Sequence, residues 1–154
     1  MNQSIKQELA FSCMMVVLMV AIMLSYNAVL VYGLTVEALN MVLIQYLPTV
    51  LVAFAIEQLV VSHNVHKLHG ILVSPSSPQI KHVLILALLF VTFMAALMSL
   101  YGTLLSTGTE NNFWSHYLLN FARNWPVALL AQLIVAGPIV REVHASMLYS
   151  SRLT

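Results

Sequence analysis

The stretch HVLILALLFVTFMAALMSLYGTLL, residues 82–105, contains no Lys, Arg, Asp or Glu. As a helix rising 1.5 Å per residue it extends about 36 Å, enough to cross the roughly 30 Å hydrocarbon core of a bilayer. Three further stretches are nearly as apolar, at residues 9–32, 39–62 and 118–140, with Glu57 and Arg123 their only Lys, Arg, Asp or Glu residues. The spacing therefore predicts an all-α integral membrane protein with four transmembrane helices.

Composition excludes the main alternatives. Hydrophobic residues make up 60% of the 154-residue chain and charged residues only 7%, whereas a soluble domain carries about 25% charged residues to hold its surface in water. A net charge of +1, with no Lys/Arg-rich run, leaves no basic footprint for nucleic acid. The single cysteine, Cys13, lies inside the first apolar run, so neither an intrachain disulfide nor a cysteine-based metal site can form. The first run also exceeds the about 7–15 apolar residues of a signal-peptide core, and it reads as a retained helix.

The loops organise the spans. Gly33 stands where the first helix should stop, Thr35 can cap the second, and Glu37 suits the positive end of its dipole. The segment 69–80 contains Ser74, Pro75, Ser76, Ser77 and Pro78 and reads as a cytoplasmic linker. It separates a first helix pair, residues 1–68, from a second pair with a short cytoplasmic tail, residues 81–154. Lys6, Lys67, Lys81, Arg141 and Arg152 fall on one side of this topology, opposite Glu37 and Glu110. Both termini are then expected in the cytoplasm. Arg123 can reach the outer interface from just inside helix four, and Tyr32, Tyr46, Trp114, Tyr117 and Trp125 read as an outer aromatic belt.

The two pairs echo one another. An offset of about 75 residues aligns Met19, Ala21, Met23, Tyr26 and Leu30 with Met94, Ala96, Met98, Tyr101 and Leu105. An offset of about 78 aligns Pro48 with Pro126 and His66 with His144. A tandem repeat of two helical hairpins follows, its copies sharing one orientation because each crosses the membrane twice.

With FMAALMSLYGTL, the weaker MMVVLMVAIMLSYNAVL, and NWPVALLAQLIVAGPIVREV containing Trp125, Pro126, Gly137, Pro138 and Arg141, the chain resembles the DUF2798 family of small bacterial membrane proteins. The resemblance implies a tandem helix-pair architecture in the bacterial cytoplasmic (inner) membrane, and it implies no substrate. The first repeat departs from the pattern, with Tyr46 and Leu47 before Pro48 and no Gly-Pro near its end. A looser resemblance is to the proteobacterial antimicrobial compound efflux proteins. Those carry an acidic residue in their first membrane helix, where this chain has Asn27 and no acid.

Polar residues inside the spans are the candidates for function. Glu57, followed by Gln58, is the acidic residue well inside a span, about 9 Å from a boundary near His63. A carboxylate there can exchange protons or meet a cationic substrate, or it can stretch to the interface and pair with Lys67, Lys81 or His82. Asn27, Ser99 and Gln132 can form a polar core, whose plain role is hydrogen bonding between helices. Arg123 and Trp125 can line an outer vestibule or simply anchor at the interface. Met15, Met19 and Met23, echoed by Met94 and Met98, are ordinary packing material as readily as an adaptable surface. Ala87, Ala95, Ser99 and Thr103 form a small-residue stripe that permits close helix contact. Pro48, Pro126 and the Gly137–Pro138 pair are expected to kink their helices.

His63, His66 and His69 have the three-residue spacing of metal ligands on one helix face. The repeat aligns His63 and His66 with Arg141 and His144, so they read as basic residues where a helix leaves the membrane, and neither a metal nor another cofactor is expected. No enzyme is expected either, since the chain has no Asp, no HExxH and no glycine-rich phosphate loop. Two functions remain open. One is a small secondary transporter, acting as a homo-oligomer and exporting a hydrophobic or cationic small molecule with Glu57 carrying a proton. The other is a non-transporting membrane module that binds a membrane-protein partner or lipid.

Overall fold

The computed structural model describes residues 3–74, 76–107 and 112–150. Pro75, Glu110 and Arg152, named above for the linker and for orientation, lie outside the described residues. The fold is all helical. Helix α1 (Gln3–Tyr32) is followed by α2 (Val36–Ile56), which continues through a π-helical segment (Glu57–Val61) into α3 (Ser62–Leu72). Helix α4 (Gln79–Thr107) stands by itself, and α5 (Phe113–Leu130) continues through a second π segment (Ala131–Ala136) into α6 (Gly137–Ser150). Four continuous helices are thus long and apolar enough to cross a membrane: Leu9–Tyr32, Val36–Leu72, Gln79–Ser106 and Phe113–Val143. Leu34, Leu43, Ile44, Leu51 and Leu59 leave large apolar surfaces uncovered, which water would penalise and lipid accommodates.

The turns form as the residues require. Gly33 takes φ +69°, a left-handed conformation that glycine adopts without steric penalty, and its N–H donates to Val29 O at 2.9 Å. Thr35 Oγ1 accepts the Ala38 N–H at 3.3 Å and donates to Tyr32 O at 3.1 Å, closing a tight hairpin.

Two helices outrun the limits that hydropathy suggests. The second continues past His69 through Gly70 to Leu72, because no proline intervenes and Val65 and Val73 are buried, with α3 packed on α4. At 37 residues it is about 56 Å long, so its polar stretch with Ser62, His63, Asn64, His66 and Lys67 extends beyond a single bilayer thickness. The fourth begins at Phe113, ahead of residue 118.

The π segments have different local causes. In the second, the Gly137 N–H donates to Gln132 O, five residues back. Pro138 follows at once, and a proline ring collides with the carbonyl of the preceding turn unless the helix widens. In the first, the Ser62 N–H donates to Glu57 O in the same way, but the described part of α3 contains no proline.

The chain divides into two compact units. One comprises the residues up to Phe54 and those from Leu130 onward. In it α1 packs on the second π segment and α6, with Val16, Val20, Ala28, Ala131, Ala136 and Val140 buried, and Tyr46 of α2 donates its hydroxyl to Val17 O at 2.9 Å. The other is Ala55–Leu129, in which α4 packs on α3 and the first π segment. Its buried α4 residues are Ala87, Val91, Ala95, Ser99 and Thr103, the expected small-residue stripe with Val91 completing its four-residue period.

Gly137 is where the backbone leaves no room. A Cβ there would stand 2.6 Å from Gln132 O, whereas one at Gly102 would meet nothing within 4 Å. Gly137→Ala should therefore destabilise the protein by about 1–3 kcal/mol, and Gly102→Ala should be neutral or stabilising. Thermal unfolding of the two variants in detergent checks the contrast.

Candidate functional site

Glu57 opens the first π segment and is only 7% exposed. Gln58, next in the chain, is half-buried, and both are engaged within the fold. Burying an ionised carboxylate in a membrane span costs about 2.5–3.5 kcal/mol or more, so the surroundings must compensate or the group must take up a proton. The π turn contributes here, since it shifts the hydrogen-bond register and re-aims side chains along one short stretch. Gln132 occupies the second π segment and is half-buried. Three of the polar residues singled out in the spans, Glu57, Gln58 and Gln132, thus fall on the places where the helices depart from α geometry.

The remaining candidates have more local explanations. Asn27 donates its Nδ2 to Met23 O at 2.8 Å, satisfying itself on its own helix. Arg123 is exposed and lies about 15 Å along the helix from Phe113, deeper than a helix beginning at residue 118 would place it. Trp125 has a partner that its expected interfacial role does not supply. It is half-buried, and its indole Nε1 donates to Thr92 Oγ1 of α4 at 2.9 Å, so it joins two helices. The exposed aromatic residue at the start of α5 is Trp114, 69% accessible, in edge contact with Phe113 and Tyr117. Helix continues through Pro48 and Pro126, and Pro48, Pro126 and Pro138 are exposed while Gly137 is buried.

The histidines separate. His63 and His66 are exposed, and His66 stands edge-on to Phe90 at 6.1 Å. His69 is half-buried beside His82, with ring centroids 5.2 Å apart. Among the described residues no group of three or more His, Cys, Asp or Glu side chains is placed to hold a metal ion.

A polar ladder between α4 and α5 escaped the sequence reading. Asn120 Nδ2 donates to Thr103 Oγ1 at 3.0 Å, and Thr103 Oγ1 donates to Ser99 O at 2.7 Å. The signal was present as two i, i+4 polar pairs, Ser99 with Thr103 and Asn120 with Asn124, but only the fold makes them face each other. Residues 80–148, most of α4 through most of α6, match the model of DUF2798, a domain of unknown function. The chain carries a DUF2798 domain. No curated protein and no solved structure matches the chain. The DUF2798 domain contains the ladder, Trp125, Gln132 and the Gly137–Pro138 pair, whereas Glu57 and Gln58 precede it.

Within the DUF2798 domain the Trp125–Thr92 bond joins α5 to α4. Trp125→Phe and Thr92→Val should each lower stability by about 0.6–2 kcal/mol. Because each removes the same bond, the double variant should cost less than the sum of the two. Unfolding of the four proteins in detergent measures the coupling.

Proposed function

We propose that this multi-pass membrane protein is a small secondary transporter that exports hydrophobic or cationic small molecules, with Glu57 taking up and releasing the coupling proton. The observation that carries the reading is the burial of Glu57, at 7% exposure, at the first residue of a π segment within the second of the candidate membrane spans. An ionisable group inside a membrane span marks an ion or substrate path more often than a packing contact, and π segments recur at functional sites. The chain acts in this proposal as a tandem repeat of two hairpins, with both termini in the cytoplasm and as a homo-oligomer, since four helices enclose little volume. The duplication has added support from the π segments, one in the second helix of each pair, which begin at Glu57 and Ala131, four residues short of the offset of about 78 that aligns Pro48 with Pro126.

A second reading is a non-transporting module that binds a membrane-protein partner or lipid. It is favoured by the way Asn27, Asn120 and Trp125 use their polar atoms within or between helices. Flux measurements separate the two. Purified protein in liposomes with an imposed pH gradient should move a hydrophobic cation, and Glu57→Gln, which keeps the shape but cannot ionise, should reduce that flux to background. Flux unchanged in Glu57→Gln would remove the proton-carrying role. No flux from the parent protein, together with recovery of a stoichiometric membrane partner, would replace transport with the second reading.

A further inference from the structure

The ladder between α4 and α5 stops one turn short of completion. The Asn120–Thr103 hydrogen bond sets the antiparallel register of the two helices, and one turn back along α4 and one turn onward along α5 bring Ser99 and Asn124 to the same level. Ser99 is 3% exposed, and its Oγ has no hydrogen-bond partner. Asn124 Oδ1 is likewise buried and unpartnered. The two atoms are complementary, since a hydroxyl can donate and a carbonyl oxygen accepts. They do not bond each other, although buried polar atoms are almost always paired with protein or with ordered water. The Asn120–Thr103 pair lies on one side of this level along the helices, and the Trp125–Thr92 bond lies on the other.

We infer that Ser99 and Asn124 form a binding site for one hydroxyl group, which accepts from Ser99 Oγ and donates to Asn124 Oδ1. The side chains around the two atoms select that occupant. A cation is disfavoured because none of Ser99, Thr103, Asn120 and Asn124 is acidic, and Arg123 adjoins Asn124 in the chain. An anion is disfavoured because Asn124 presents an acceptor. The hydroxyl can belong to a single water molecule, of which buried examples typically make 2–4 hydrogen bonds, or to a small alcohol-bearing solute. Ser99 lies about 12 Å along α4 from Thr107, within reach of the end of the helix pair. The site is independent of any role for Glu57, which lies outside the DUF2798 domain.

Solid-state NMR on isotope-labelled protein in hydrated liposomes tests the site through transfer of magnetisation from water protons. Transfer to Ser99 Cβ and Asn124 Cγ, with none to their stripe neighbours Val91 and Ala95, is the expected result. In Ser99→Ala, a residue type the stripe already holds at Ala87 and Ala95, the transfer to Asn124 should be lost. Titration with glycerol distinguishes the sources: transfer that persists identifies water as the resident, and replacement of the transfer by shifts at the same two resonances identifies a solute hydroxyl. Absence of both water transfer and glycerol shifts would overturn the site, as would transfer to Asn124 that survives Ser99→Ala.

Discussion

Inside a bilayer no solvent is present to satisfy a backbone N–H or C=O, so each must find its partner within the chain. That constraint makes every span a helix and accounts for the caps at its ends, where Gly33 and Thr35 satisfy groups that the helix interior cannot. It also explains why departures from α geometry are small here. Each π segment carries a backbone bond that reaches back five residues, from the Ser62 N–H to Glu57 O and from the Gly137 N–H to Gln132 O. At these two bonds the register shifts by one residue and the donor still finds a carbonyl within the chain.

Side chains obey the same rule with more freedom. Helix association in lipid lacks the hydrophobic drive available in water and relies on close packing and polar contacts. The buried stripe from Ala87 to Thr103 supplies close approach, while Tyr46, Trp125 and Asn120 supply hydrogen bonds from one helix to the next. Asn27 follows another route, returning its amide hydrogen to its own helix. Against that background Glu57 stands out, because a carboxylate in lipid needs more compensation than a hydroxyl or an amide.

Much of this was legible in the residue order, for identifiable reasons. Span number and the Gly33–Thr35 turn follow from local chemistry, and the small-residue stripe of α4 follows from helical spacing on one chain. The limits of the second and fourth helices were less legible, since hydropathy reports where lipid ends and says nothing about where backbone hydrogen bonding ends. Polar α3 continues the helix to Leu72, and α5 begins at Phe113. The helix partner of Trp125 was hidden for the same cause. The identity of Trp125 suggested an interface, but the earlier helix start and Thr92 draw it into a contact between helices.

The sequence by itself determined that the chain is a set of apolar helices, where the first turn lies and which residues are polar at depth, because those properties depend on length, hydropathy and neighbours within a turn or two. Only the tertiary structure decided which polar groups meet. Asn120 reaches Thr103, Trp125 reaches Thr92, and Ser99 Oγ and Asn124 Oδ1 are left buried without a partner, because such pairings depend on the register between helices, which no local interaction specifies. The two π segments divide along the same line. Gly137 and Pro138 announce the second in the primary structure, whereas the first, at Glu57, has no proline after it in the described part of α3 and became visible only in the folded chain.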